Sequence, residues 1–271
     1  MMPPLRPHDV SALVADVAQK ELLTRFRQLR SSDVWEKSAG DFVTTADIAA
    51  ERRLADELTR LLPGSGFIGE EGVAAGDVDL SAALAEDRPV WIVDPLDGTS
   101  NFVRGNGRFC LMVALMSSGS LLGSWLVAPT MSLTGMAWAG DGAFINGAPV
   151  RLTRPRVSPL RVVVTDPAYR TDEDRAQIAR LEQESVELRD CSGVGVVYLE
   201  LVQGLHDAAL FGWMKVWDHA AGLLLYREAG GCDVTGTGAA FALSDRNRPP
   251  LILAPTRESG NWLRMTALHE A

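Results

Sequence analysis

Cysteine is scarce in this sequence, and its spacing excludes a disulfide framework. Cys110, Cys191 and Cys232 stand far apart and form no Cys-x-x-Cys pair. Each lies among apolar or small residues, which favours reduced and mostly buried thiols. The cysteines therefore indicate a protein of a reducing compartment.

Long apolar runs are also missing. Residues 1–7 contain no apolar stretch of signal-peptide length, and no segment of the chain is long enough to span a bilayer. We therefore expect a cytoplasmic protein that does not bind membranes.

Positive charge is in deficit. The chain has 26 Lys and Arg against 35 Asp and Glu, a formal net charge of −9. Nucleic acid is not expected as the main partner, because binding to a phosphate backbone relies on clustered Lys and Arg. The acidity remains compatible with an enzyme acting on anions if several carboxylates are metal ligands, because bound divalent cations reverse the local field.

Helical and strand patterns alternate along the 271 residues, a length sufficient for one large domain or two closely packed halves. Apolar spacing and turn signals separate the elements. The predicted helices cover residues 8–30, 46–62, 173–184, 195–203, 218–229 and 258–269. The predicted strands cover residues 109–116, 121–127, 133–139, 142–150, 161–165, 186–189, 208–211 and 251–254. The order predicts an α/β protein with layered sheets, in which an N-terminal α+β half (1–150) and a C-terminal α/β half (151–271) form one compact unit.

Residues 91–102, Trp-Ile-Val-Asp-Pro-Leu-Asp-Gly-Thr-Ser-Asn-Phe, are the most informative segment. A β-branched run predicts a buried strand that delivers Asp94 and Asp97 into a loop, and Pro95 between them indicates a strand end. Carboxylate oxygens on a rigid strand end are the ligands that Mg²⁺ prefers. The following Gly-Thr-Ser offers backbone N–H groups to an anion. Cation ligands beside an anion cradle predict a phosphate held through metal.

Two other motifs accompany this segment. Gly-Glu-Glu-Gly at 69–72 follows a short apolar run, and Trp-Asp-His-Ala-Ala-Gly at 217–222 opens a helical segment. In this order, the three motifs resemble the signatures of the inositol monophosphatase family, Mg²⁺-dependent and lithium-sensitive phosphomonoesterases. The resemblance extends from about residue 40 to residue 231.

The resemblance implies a layered α-β-α-β-α sandwich and a site that holds two or three Mg²⁺ ions, with Mn²⁺ as a substitute. It implies that the metal ligands are Glu70, Asp94, the backbone carbonyl of Leu96, Asp97 and Asp218. It also implies a small phosphorylated metabolite as substrate and a homodimeric enzyme. A role for Glu71 beyond an exposed or supporting one stays open.

Catalytic roles also follow from the resemblance. Glu70 and the Thr99 hydroxyl would position the attacking water, and the Gly98 and Thr99 amides, with Ser100, would hold phosphate. Asp47 would contact the cluster, although Thr44 and Asp47 also fit a capping box before a helix. Lys37 would lie near the site, although a solvated surface lysine is the ordinary alternative. His219 is expected to be a bystander. No Cys-x₅-Arg or reactive-Ser arrangement is visible, so we expect no covalent intermediate.

The substrate is the open question. In animal inositol monophosphatases a Glu seven residues before the helix Asp binds inositol hydroxyls, and the residue at that substrate-binding position here is Phe211. An apolar side chain cannot accept those hydrogen bonds, so strong selectivity for inositol phosphate is not expected. Another carboxylate, Asp190 or Asp207, could take over the contact.

Several alternative functions stay in view. Relatives with similar metal motifs act on histidinol phosphate, fructose 1,6-bisphosphate, 3′-phosphoadenosine 5′-phosphate or NADP. A weakly active family member that binds a protein partner is an alternative of another class. A Mg²⁺-dependent nucleotide-binding module lacks support, because the chain has no Walker-type Gly-x₄-Gly-Lys-Ser/Thr motif.

Overall fold

The computed structural model describes residues 5–38, 40–152, 159–244 and 247–269. Part of the N-terminal segment considered above, residues 1–4, lies outside the described residues. Within them, no helix is long and apolar enough to cross a membrane.

The described helices are α1 (Pro7–Val17), α2 (Thr45–Leu61), α3 (Glu70–Ala74), α4 (Leu80–Leu84), α5 (Thr99–Val103), α6 (Asp172–Leu181), α7 (Val194–Val202), α8 (Val216–Glu228) and α9 (Arg257–Leu268). The strands are β1 (Val34–Ser38), β2 (Asp41–Thr44), β3 (Gly66–Gly69), β4 (Val90–Asp97), β5 (Cys110–Ser117), β6 (Ser120–Ala128), β7 (Leu133–Trp138), β8 (Gly142–Ile145), β9 (Ala148–Val150), β10 (Leu160–Val164), β11 (Val186–Asp190), β12 (Ala208–Phe211), β13 (Cys232–Val234) and β14 (Leu251–Ala254).

The strands form a β1-β2 hairpin and two larger sheets. The seven-stranded sheet has the order β3-β4-β5-β6-β7-β8-β9, and the five-stranded sheet has the order β11-β10-β12-β14-β13. In the first sheet β3 and β4 are parallel, and the following pairs are antiparallel. The carboxyl ends of β3 and β4 therefore meet at one edge of the seven-stranded sheet.

The helices cover both sheets and fill the space between them. Alternate side chains of a strand point to opposite faces, so Trp91 of β4 packs in one core with α1 and α2, whereas Ile92 packs in another with α7 and α8. The second core also contains Val163 and Leu253 from the five-stranded sheet. The other face of that sheet packs against α6 and α9 through Val162 and its neighbours. The layers run α-β-α-β-α, which confirms the predicted fold.

Several predicted boundaries need correction. The helix predicted over 8–30 ends at Leu23, because α1 passes into a π-helical turn over Ala18–Leu23 and then into turns. Strand β4 continues past Pro95 to Asp97, although its register against β5 shifts between Asp94 and Asp97. The β1-β2 hairpin and β13 were not predicted. The division at residue 150 stays a prediction.

The packing of α7 against α8 gives a testable prediction. A Cβ at Gly222 would lie 2.1 Å from the ring of Tyr198, which is fully buried. An alanine within a helix is ordinarily about 1 kcal/mol more stable than glycine. We expect Gly222→Ala instead to lower the free energy of unfolding by about 1–3 kcal/mol, because the ring has no free space to move into. Urea denaturation measures this change, and a stabilised variant would contradict the close approach of the two helices.

Candidate metal centre

Three carboxylates from three elements converge at the edge where β3 and β4 end. Glu70 is the first residue of α3, directly after β3, Asp94 lies on β4, and Asp218 is in the first turn of α8. Each contributes an oxygen to a group whose atoms all lie within 4.8 Å of one another. The distant half of the chain thus completes a cluster that two neighbouring strands begin.

The electrostatics of this cluster favour a bound cation. Burial raises the pKa of Asp94 well above its ordinary value, and the charges of Glu70, Asp97 and Asp218 raise it further. Burial and the charge of Glu70 likewise raise the pKa of Asp218, despite the opposing effects of Lys215 and a hydrogen bond from the Trp213 side chain. Three close carboxylate oxygens are the hard donors that Mg²⁺ prefers. The residues therefore fit the predicted metal.

Two lysines lie beside the cluster. The Nζ atom of Lys37 is 3.0 Å from Glu70 Oε1 and 3.1 Å from Glu71 Oε1. Burial lowers the pKa of Lys37, but the charges of Glu70 and Glu71 outweigh this effect and leave the pKa raised. Lys215, which the sequence reasoning did not select, lies 3.9 Å from Glu70. The structure thus places Lys37 beside the site rather than in solvent.

Asp97 occupies a different environment from the three clustered acids. Its carboxylate accepts hydrogen bonds from the backbone amides of Val194 (3.1 Å) and Gly195 (2.8 Å) at the beginning of α7. Burial raises the pKa of Asp97 to about 6, although these two hydrogen bonds oppose the shift. Asp97 and Leu96 both line the cavity described below, but the Asp97 carboxylate holds α7 rather than joining the three clustered acids.

Asp47 and Thr99 form a pair next to the cluster. Asp47 is the third residue of α2 and accepts hydrogen bonds from the Thr44 amide (2.8 Å) and hydroxyl (2.5 Å). The capping box predicted for these two residues is therefore present. Its other oxygen lies 3.1 Å from the Thr99 hydroxyl, which is also 2.9 Å from the Leu96 carbonyl. Burial raises the pKa of Asp47 to about 7, although the hydrogen bonds from Thr44 oppose the shift. The capping and site interpretations of Asp47 are therefore compatible.

Glu51 is a further residue that the sequence reasoning missed. Its carboxylate accepts hydrogen bonds from the amides of Glu71 and Gly72, both at 2.8 Å. Gly69 makes room for it, since a Cβ there would lie 2.2 Å from the Glu51 carboxyl carbon. Glu51 thereby fixes the turn that carries Glu70. The sequence signal for Glu51 is its position one helical turn after Asp47, on the buried face of α2 that also includes Leu54.

The cluster lies in a cavity of about 380 Å³. Gly98, Thr99 and Ser100 line it beside the three acids, and Gly98 adopts a φ of 83°, a left-handed conformation that favours glycine. At the cavity rim, Ser100 Oγ lies 2.8 Å from the Tyr169 hydroxyl, and both side chains hydrogen bond to the Gly40 carbonyl of the β1-β2 hairpin. The hairpin is therefore attached to the loop that carries Gly98, Thr99 and Ser100.

The prediction that residue 211 contacts the substrate is wrong. Phe211 is fully buried, because β12 ends there inside the central core, and its ring contacts those of Tyr198, Trp213 and His219. Trp213 and Lys215 line this side of the cavity instead.

The other candidate residues near this side of the chain do not reach the cavity. Asp207 pairs with Arg161 and Asp190 pairs with Arg170, and neither carboxylate lines the cavity. His219 is buried and bonded to Trp213 O, in keeping with a role outside the reaction.

Comparisons with known proteins agree with this geometry. The sequence matches the profile described as "Inositol monophosphatase family" over residues 6–264. The chain belongs to the inositol monophosphatase family. It is 31% identical over 239 residues to the "Nus factor SuhB" of Xylella fastidiosa, a match covering 85% of this chain and 83% of that protein. It is 32% identical over 225 residues to the "Inositol-1-monophosphatase" of Rhizobium meliloti, with 82% of each chain covered.

Solved structures of the family share the fold. The crystal structure of the extragenic suppressor protein SuhB from Bartonella henselae matches with a TM-score of 0.83 at 24% identity, covering 97% of this chain and 99% of that chain. At this identity the likeness supports the fold alone. The family membership agrees with the acidic cluster, since metal dependence is a general property of inositol monophosphatases.

The contact between Gly69 and Glu51 gives the prediction for this site. We expect Gly69→Ala to lower the free energy of unfolding by about 1–3 kcal/mol, because the new methyl group displaces the Glu51 carboxylate. The displaced turn should also bind Mg²⁺ more weakly, which isothermal titration calorimetry measures. Gly72→Ala is the matched control, since a Cβ there meets its nearest atom at 3.4 Å. Equal behaviour of the two variants would contradict the role given to Glu51.

Proposed function

We propose that this protein is a Mg²⁺-dependent phosphomonoesterase that hydrolyses a small phosphorylated metabolite by attack of water on phosphorus. The observation that carries the proposal is the juxtaposition of the Glu70, Asp94 and Asp218 cluster with the Asp47–Thr99 pair in one cavity. Membership of the inositol monophosphatase family supports the same reaction class.

The chain offers ligands for two or three ions. Glu70, Asp94 and Asp218 would hold them, with the Leu96 carbonyl and Asp97 as further ligands, and Mn²⁺ could replace Mg²⁺. Bound divalent cations neutralise phosphoryl oxygens and lower the pKa of water. Catalysis in this arrangement consists mainly of positioning and electrostatic stabilisation.

The protein's own groups have distinct tasks in this proposal. The Thr99 hydroxyl can accept a proton from the attacking water at its oxygen while passing its own proton to Asp47, 3.1 Å away. Glu70 would help to position that water. The amides of Thr99 and Ser100 begin α5 and have no partner within the helix, so they can donate to phosphoryl oxygens together with the Gly98 amide. Lys37 and Lys215 add positive charge beside Glu70.

The proposal also includes features that rest on the family resemblance. These are a homodimeric state, a cytoplasmic location and inhibition by Li⁺. Histidinol phosphate, fructose 1,6-bisphosphate and 3′-phosphoadenosine 5′-phosphate are the alternative substrates.

A second candidate function comes from the name of a relative. The match to a protein named "Nus factor SuhB" favours a weakly active member that binds a macromolecular partner. The intact carboxylate cluster favours the enzyme, and release of phosphate from simple esters discriminates between the two.

The metal ligands give the first prediction of this proposal. With glycerol 2-phosphate and Mg²⁺, Asp94→Asn should lower kcat by at least about a hundredfold, because the neutral amide no longer compensates cationic charge. Circular dichroism and thermal unfolding check that the fold persists. Asp141→Asn, an exposed change in the β7-β8 turn, should leave kcat unchanged. Full turnover in excess EDTA would reject metal dependence.

The Asp47–Thr99 pair gives the second prediction. Thr99→Val keeps the shape of the side chain but removes the hydroxyl, so kcat should fall by about 10²–10⁴-fold, the usual contribution of a general acid–base group. KM should change little, and Thr99→Ser should restore most of kcat. Equal losses in the valine and serine variants would show that Thr99 acts through packing rather than through its hydroxyl.

A further inference from the structure

Trp213 is a partly exposed aromatic residue on the wall of the cavity that holds the metal cluster. It belongs to the connection between β12 and α8. Asp218, a candidate metal ligand, lines the same cavity.

Buried neighbours fix the position of this ring. The Trp213 ring packs against Phe211 with a centroid distance of 5.5 Å and against His219 with a distance of 6.4 Å. The His219 Nε2 atom lies 3.1 Å from the Trp213 carbonyl, and its Nδ1 atom lies 3.2 Å from the Tyr198 hydroxyl. With Nε2 donating to the carbonyl, Nδ1 accepts from the hydroxyl. Contacts therefore fix both the backbone carbonyl and the ring of Trp213. Because the side chain is already ordered, binding of a ligand would cost little further conformational entropy.

A second aromatic residue, Tyr169, belongs to the connection between β10 and α6. Tyr169 lines the cavity, and its hydroxyl is engaged by Ser100 Oγ at 2.8 Å and Gly40 O at 3.2 Å. These contacts engage its hydroxyl, and the residue stays 47% exposed. The cavity therefore presents two anchored aromatic side chains.

Two carboxylates outside the candidate ligand set, those of Asp166 and Asp41, also line the cavity. The Oδ1 atom of Asp166 accepts from the Ala168 amide at 2.8 Å, and Asp41 lies 3.9 Å from Lys37 Nζ. Both carboxylates thus have partners within the protein.

We propose that the alcohol half of the substrate carries a planar aromatic ring, as in a nucleoside or another arylated alcohol, which stacks on Trp213. This inference rests on the proposed phosphatase function and adds the class of leaving group. Stacking of a base on an aromatic side chain stabilises a complex enough to raise kcat/KM by at least about fivefold.

The test compares matched phosphomonoesters in the presence of Mg²⁺. Benzyl phosphate and cyclohexylmethyl phosphate are both esters of primary alcohols of similar size, and they differ in ring planarity. Adenosine 5′-monophosphate and ribose 5-phosphate differ by the base alone. We expect the aromatic member to have a kcat/KM at least about fivefold higher in at least one pair. Preference in the nucleotide pair assigns the ring to a nucleoside, and preference in the benzyl pair alone assigns it to a simple aryl group.

Variants assign the preference to Trp213. Within each variant the readout is the ratio of kcat/KM for the two members of a pair, which a general loss of activity does not change. Trp213→Leu should bring the ratio close to one, and Trp213→Phe should keep it raised. Trp262→Leu, a change of a partly exposed tryptophan on α9, should keep the wild-type ratio. If Trp213→Leu does not fold, inhibition of glycerol 2-phosphate hydrolysis by adenosine, compared with ribose, tests the stacking in the wild-type protein, and equal inhibition by the two compounds would overturn it.

The possible results distinguish a failure of the stacking inference from a failure of the proposed phosphatase function. Hydrolysis of glycerol 2-phosphate together with ratios near one in both pairs overturns the stacking role and leaves the phosphatase intact. An unchanged ratio in Trp213→Leu also overturns it. Absence of hydrolysis of every ester, glycerol 2-phosphate included, overturns the proposed function and the inference with it.

Discussion

The mutual repulsion of Glu70, Asp94 and Asp218 is the constraint around which this chain is organised. Three oxygens within 4.8 Å at a partly buried site are unfavourable without positive charge. The protein holds them there by placing each on a rigid element, with Glu51 bonded to the turn of Glu70. Lys37 compensates part of the charge, and a divalent cation would compensate the rest.

The different roles of the acidic residues follow from the groups that surround each carboxylate. Asp94 and Asp218 face other carboxylates, whereas Asp97 faces the amides of α7 and orients the helix of the central layer. Asp47 accepts from both a helix cap and Thr99. Carboxylates that look alike in the sequence thus serve as candidate ligands, helix anchors or partners of a hydroxyl, according to the groups that surround them.

The sequence predicted those parts of the site whose signals are local. Asp94 and Glu70 follow short apolar runs, and Asp218 opens a helix, so their placement at strand and helix ends could be read from neighbouring residues. The α/β class was predictable from the order of the periodic segments, whereas the α-β-α-β-α layering was implied by the family resemblance. The hydrogen bonds of Asp97 to α7 were not predictable in this way, since the donating amides lie 97 and 98 residues further along the chain.

Other features of the structure were not predicted, because their signals in the sequence are weak or indirect. The strands β1 and β2 are short and only partly buried, so they show no clear alternation. Glu51 gave a usable signal, a charged residue in line with Leu54 and Leu58 on the buried face of α2. The error at Phe211 arose because counting back from Asp218 cannot tell which residues of the β12-α8 connection turn inward.

The central position of α8 has a consequence for the whole chain. This helix packs between the two sheets and also carries Asp218, while Asp94 lies on the first sheet and Glu70 directly follows one of its strands. A cation bound by all three would act as a tether between the first sheet and the middle layer. Because an ion that binds only the native state stabilises it by about 2.7 kcal/mol at a concentration one hundred times its Kd, the supply of cation would set the free energy of unfolding of the protein as well as its chemistry.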